Sequence, residues 1–309
     1  MKTLYSTILV ALLVLASQSS FAQGFVFKVL ANKGENQVKP KDSAWEPLKT
    51  GGTLNSGDEL KVSQNSYLGL VHSSGKTLEL STAGDFDVNE LASSLSSGGS
   101  SVASKYADFV LNSMKGSAEA GNNQQATGSV SRELNFDSFG DENAPSVFSP
   151  SSVEVYNANT IVRWSKPKNV EDPTYVVQIR NMFDEVVFSS ETKETGMKIE
   201  LSEEFFTSQR LVILNVLLKD NDEAQSGDIG IRLLGGEEAQ GIKNELSSIS
   251  AELNSESALN QLLLASFYEK HSLILDAIAC YEKAIRLAPE VEDFKSMYIE
   301  FLIRNNLGK

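Results

Sequence analysis

ALNQLLLASFYEKHSLILDAIACYEKAIRLAPEV, residues 258–291, is the stretch that decides how the end of this chain folds. Its small and apolar residues fall at helical spacing: Leu264-Ala265 and Tyr268 in the first half, Ala277, Tyr281 and Ala284 in the second. Ala265 and Ala277 are small enough to let two helices approach closely, and Tyr268 and Tyr281 fill the space between them. Pro289 stops the second helix, because it has no N–H and its ring collides with the preceding turn. The spacing therefore predicts a pair of packed helices. Phe294, Tyr298, Phe301 and Leu302 continue as a third helix that can cover the open end. Upstream of the pair, Ile242, Leu246, Ile249 and Leu253 form one apolar face of a further helix, which Gly235-Gly236 separates from what precedes it.

Leu264-Ala265, Tyr268, Ala277, Tyr281, Ala284 and Pro289 together resemble the hydrophobic signature of a tetratricopeptide repeat. Gln261 stands where that family often has Trp. Only one repeat is clear, so the flanking helices or a partner must supply the surface that further repeats would bury. The resemblance implies a face offered to peptides, and Ser266, Glu269 and Lys270 are expected on it, turned away from Ala265 and Tyr268.

The front of the chain has a different period. Phe25, Phe27 and Val29 alternate, as do Leu60 and Val62, Leu68 and Leu70, Leu78 and Leu80, and Phe86 and Val88. Period two places each pair on one face of a sheet. Turn chemistry separates the pairs at Gly51-Gly52, Asn55-Ser56-Gly57-Asp58, Ser73-Ser74-Gly75-Lys76 and Ala83-Gly84-Asp85. Residues 24 to about 95 are thus expected as short strands of a small sandwich or roll. The run from Trp45 to Leu60, with Leu48, Gly51-Gly52, Leu54, Gly57-Asp58 and Leu60, is similar to the core of FecR-like periplasmic domains. Tyr67 to Leu80 resembles the next hairpin of that family. Members best known as sigma-factor regulators carry a basic cytoplasmic segment and a spanning helix. This sequence has neither, so the resemblance implies a periplasmic module. Trp45 and Tyr67 are the aromatics that would stack on a cell-wall glycan if this domain reads one.

Ser93 to Ser104 is rich in Ser and Gly and reads as a linker. Val102, Tyr106, Phe109, Val110 and Met114 fall at helical spacing, and that helix is expected to pack back on the first β domain. Residues 116–149 read as a flexible connector. A second β region runs from about Pro150 to Leu234, with some seven short strands: 153–155, 161–164, 175–179, 186–188, 199–201, 211–218 and 229–231. Trp164 followed by Tyr175-Val176-Val177-Gln178-Ile179 looks like a fibronectin type III or immunoglobulin-like strand pair. The expected fold class is multidomain α+β: two all-β domains followed by an all-α, tetratricopeptide-like domain. The boundaries are 1–22 for a signal peptide, 23–115, 116–149, 150–234 and 235–309.

Residues 1–22 carry the order of a cleavable secretory signal: Lys2, the apolar run Ile8–Leu15, and Ser20-Phe21-Ala22. The run falls short of the roughly 20 residues a spanning helix needs. A periplasmic location follows as the expectation, without stable membrane insertion after cleavage. The formal net charge is -14, which repels nucleic acid and anionic membranes. The single cysteine, Cys280, leaves no internal disulfide.

No catalytic constellation stands out. His72 and His271 lie in different expected domains. Cys280 sits beside a packing face and reads as a small apolar group. Asp220-Asn221-Asp222-Glu223 starts like a calcium loop but lacks the Gly and the bidentate Glu that such a loop requires, so it reads as a hairpin turn. Gly51-Gly52 and Ser97-Gly98-Gly99-Ser100 do not match phosphate-cradle spacing. The sequence therefore points to a non-catalytic exported envelope protein that binds protein partners or scaffolds them, with a ligand-binding or sensory module as the alternative. No cofactor and no metal are expected.

Overall fold

Alternate apolar side chains close the first β unit. The computed structural model describes residues 24–95, 105–106, 109–110, 140–201, 211–250 and 256–307, and the fold is α+β. The signal segment, most of the 116–149 connector and Ser97-Gly98-Gly99-Ser100 lie outside the described residues. One sheet orders β4 (Thr53–Leu54), β1 (Phe27–Lys33), β6 (Tyr67–His72) and β7 (Thr77–Leu80). The other orders β3 (Glu46–Pro47), β2 (Gln37–Lys39), β5 (Glu59–Val62) and β8 (Gly84–Asp87). Phe27, Val29, Leu68 and Leu70 from the first sheet meet Val38, Leu60 and Val62 from the second in one buried cluster. Asp58 explains the turn before β5. Gly57 takes a positive φ of 88°, and the Asp58 carboxylate accepts the N–H groups of Asn55 at 2.7 Å and Lys41 at 3.2 Å.

The expected strand at Phe86–Val88 is corrected at its end. Val88 opens helix α1 (Val88–Ser94), and the Asp87 side chain caps it by accepting from Asn89 and Glu90 N–H. An acidic cap followed three residues later by Glu90 is a helix-start signature, and it overrides the alternation.

The second β unit is a pair of facing sheets. One orders β10 (Ser152–Val155), β17 (Ile229–Leu233), β15 (Leu211–Leu218), β12 (Tyr175–Arg180) and β13 (Val186–Thr192), with β16 (Asn221–Gln225) also on β15. The other orders β14 (Gly196–Glu200), β11 (Asn159–Ser165) and β9 (Ser146–Val147). Trp164 of β11 stands edge-on to Tyr175 of β12, with centroids 5.4 Å apart, so the sheets meet through these rings. β10 runs parallel to β17; the other pairings are antiparallel. Asn221 pairs with Leu218 across a tight turn, which places the acidic run in a hairpin. The connector does not extend to Ser149 as expected: Val147 and Phe148 are buried in the sandwich core, and burial of two large apolar groups orders the strand.

Four helices follow: α2 (Gly236–Ser250), α3 (Ala258–Lys270), α4 (Ile274–Leu287) and α5 (Glu292–Arg304). α3 and α4 form a hairpin through buried Ala265, Tyr268, Ala277 and Tyr281. α5 covers α4: Tyr298 stacks on Tyr281 at 5.6 Å, and Phe301 lies 5.1 Å from the same ring. Residues 105–106 and 109–110 are helical, but they do not pack as expected. Tyr106 sits edge-on to Phe267 of α3 and donates its hydroxyl to Glu245 of α2 at 2.6 Å. That segment therefore joins the helices, because its phenol finds both an aromatic edge and an acceptor there.

The helices lock onto both β units. On the first, Glu79 of β7 accepts from Ser257 Oγ at 2.5 Å and Leu259 N–H at 2.9 Å, supplementing the cap of α3. Gly69 of β6 lets Leu259 approach: a Cβ there would lie 2.8 Å from Leu259 Cδ2. Tyr67 packs edge-on against Phe294 of α5 at 5.8 Å. On the second unit, Asp276 in the first turn of α4 is buried. It accepts Tyr156 N–H at 2.9 Å, Asn157 N–H at 3.0 Å and Asn157 Nδ2 at 2.6 Å. Burial pushes its carboxyl upward, and the three donors pull against that shift.

Candidate functional site

A cleft of about 540 Å³ lies where the second β unit meets α4 and α5. Strand alternation builds one wall. In β11, Thr160, Val162 and Trp164 turn into the sandwich, which sends Arg163 out toward α4. The Arg163 guanidinium grips the Glu282 carboxylate through two hydrogen bonds, one from Nε and one from Nη2 at 2.6 Å. This bidentate pair is the strong form of a charged hydrogen bond. Gly196 of β14 makes room for it, since a Cβ at that position would overlap the Arg163 side chain. Tyr298 donates its hydroxyl to the same carboxylate at 3.3 Å. Burial, then the Glu282 charge, holds that phenol well above its ordinary range, so it stays neutral.

The remaining lining is apolar below and cationic at the mouth. Phe148, Trp164, Ile285, Pro289 and Tyr298 supply the apolar surface. Lys166 and Arg286 are both exposed at the rim. Lys166 donates to the Glu171 carbonyl, a neutral acceptor. Arg286 makes no ion pair among the described residues. Three cations therefore face one carboxylate here, in a chain of net charge -14. Chemically, such a lining holds an apolar body and attracts negative charge. Its one carboxylate is already held by Arg163 and Tyr298.

The residues singled out from sequence are elsewhere. Ser266 was expected on an outer face, but it is buried and donates to the Leu262 carbonyl. Glu269 accepts from Arg304 and Asn305, which bring α5 against that face. Lys270 is exposed, with its ammonium 5.1 Å above the Tyr106 ring. The three do not form one open surface, because α5 and Tyr106 occupy it. Trp45 is partly exposed, with the Lys61 ammonium 4.4 Å over its ring. Tyr67 is buried against Phe294 and offers no stacking face.

His72 bonds to Ser74, and His271 ends α3 with Glu245 3.1 Å away. Burial raises the Cys280 thiol far above its ordinary value, which keeps it protonated. Among the described residues, no group of three or more His, Cys, Asp and Glu side chains could hold a metal ion. No described helix is long and apolar enough to cross a membrane.

Reading the sequence alone misses Arg163, Asp276 and Glu282. Asp276 does leave a trace, as a lone acid inside the apolar run Leu273–Ile278. Comparison with protein-family models and with curated proteins finds no match for this chain.

Proposed function

We propose that this chain is an exported, non-catalytic binding module of the cell envelope whose receptor site is the cleft between β11 and α4. The FecR-like front and the tetratricopeptide-like hairpin belong to this reading as architecture. In it the helices act as a brace, since their expected peptide face is filled from within. One observation carries the proposal: an apolar pocket of small-molecule size, rimmed by a cation without a partner among the described residues. Sites of roughly 300–1,000 Å³ with apolar walls and a few polar anchors are the usual form of a ligand pocket. The acidic surface and the signal-like start fit a periplasmic setting.

The test is native mass spectrometry of the protein after incubation with an envelope small-molecule extract. A retained ligand mass is expected for the natural chain and not for Ile285→Trp, which fills the cleft. If no mass is retained, or both proteins retain it equally, the cleft is not the receptor.

A second reading, docking of a protein partner, is favoured by one feature. The β12–β13 hairpin exposes Met182, Phe183, Val186 and Val187, and β13 ends its sheet among the described residues. Exposed apolar groups on a sheet edge template strand addition. A photo-crosslinker placed at Phe183 is expected to trap one partner in the envelope, and the trapping is expected to vanish when Val187 becomes Lys. Crosslinks that survive that change would remove this reading.

A further inference from the structure

We infer that the cleft takes an organic anion: a flat apolar body carrying one carboxylate, sulfonate or phosphate. This rests on the cleft being the receptor and adds the class of ligand.

The argument turns on which charges are already neutralised. Arg163 is held by Glu282 in a bidentate pair, and Glu194 adds to the field around it. It is a wall, and its charge is spent. Lys166 and Arg286 differ. The Lys166 ammonium donates to the Glu171 carbonyl and shares the field of Asp172, which Lys193 already grips, and Arg286 meets no acceptor among the described residues. Both stand at the mouth of the cleft, in solvent. Glu290, next to Pro289, is not among the residues that line the cleft, and it adds to the field at Tyr67. The mouth therefore carries one cation without a partner among the described residues, Arg286, and a second, Lys166, only partly offset by Asp172, on a molecule of net charge -14. A local reversal of sign at the mouth of a cleft with apolar walls draws anions in and repels cations.

The apolar side excludes a bare inorganic ion. Phe148, Trp164, Ile285, Pro289 and Tyr298 line the cleft. Phosphate alone would sit at the rim and leave that surface wet. A ligand with one or two rings would cover it and gain about 25 cal/mol for each Å² removed from water. The volume of 540 Å³ holds such a body and no polymer domain.

Two fluorescent probes sharing one ring skeleton separate the charge from the body. One is 8-anilinonaphthalene-1-sulfonate, and the other is N-phenyl-1-naphthylamine, which lacks the sulfonate. The full chain is titrated with each at low salt. The sulfonate is expected to bind about tenfold more tightly than the amine. Lys166→Glu with Arg286→Glu is expected to weaken the sulfonate at least about tenfold and to leave the amine within about threefold. Arg286→Lys alone should retain the preference. Both positions are exposed, so the variants are expected to fold, and a thermal melt matching that of the natural chain is the control.

Equal affinity for the two probes, or a sulfonate affinity indifferent to the double reversal, overturns the charge assignment and leaves the cleft standing. Failure of both probes to bind, or binding that Ile285→Trp does not touch, overturns the cleft and the ligand class together.

Discussion

Asp276→Ala is expected to destabilise the whole chain by about 3–5 kcal/mol, measured by urea unfolding at neutral pH. The carboxylate sits at the start of α4, buried against the β10–β11 turn. Three donors end on it: the Tyr156 N–H, the Asn157 N–H and the Asn157 amide. Alanine leaves all three facing a dry gap. Each stranded donor costs about 1–3 kcal/mol, and relief of the buried charge returns part of the sum. Asn157 also donates to the Tyr268 hydroxyl at 3.2 Å, so the same truncation loosens the α3–α4 hairpin. Asp276→Asn keeps one good acceptor and turns an NH₂ toward a donor, so its loss should be about half as large. If alanine costs under about 1 kcal/mol, the turn and the helix are not joined through this group.

The outlines of the fold were legible because period reports burial. Phe27 and Val29, Leu60 and Val62, and Leu68 and Leu70 alternate in sequence and share one core in space. The hairpin of α3 and α4 was equally plain, since Ala265 and Ala277 mark its close contact. What escaped was the joining of the units. Arg163 and Glu282 are 119 residues apart, as are Asn157 and Asp276, and no local pattern binds residues at that separation. The same cause misplaced Ser266 and Glu269. Helix spacing shows which side of α3 they occupy, and it does not show that Arg304 and Asn305 arrive from α5 to cover it. Val88 failed for a different reason: a capping residue one position earlier outweighed two apolar neighbours at strand spacing. The cleft lies at such a join, so it was invisible until β11 and α4 were brought together.

Phe294→Ala is the second large effect, and it reports on the opposite join. Phe294 is fully buried near the start of α5, with its ring edge-on to Tyr67 of the first β unit at 87°. Around it, Thr50 donates to Asp293 at 3.4 Å, and burial raises the Asp293 carboxyl above its ordinary range. α5 has no side-chain cap of its own, so this docking is what fixes its first turn. Truncating a buried Phe costs about 3–5 kcal/mol, and the ring pair contributes about 0.5–1.5 of that. Ile303→Ala, on the exposed side of the same helix, is expected to cost under about 0.5 kcal/mol. A cycle with Tyr67→Leu should return a coupling of about 1 kcal/mol. Combining Phe294→Ala with Asp276→Ala then asks whether the helices brace both β units at once. In a single cooperative body, two changes at separate joins sum within about 0.5 kcal/mol and keep one unfolding transition. A biphasic curve, in which Phe294→Ala moves one step and Asp276→Ala the other, would mean that the units unfold separately. The helices would then be hung on the two β units without bracing either against the other.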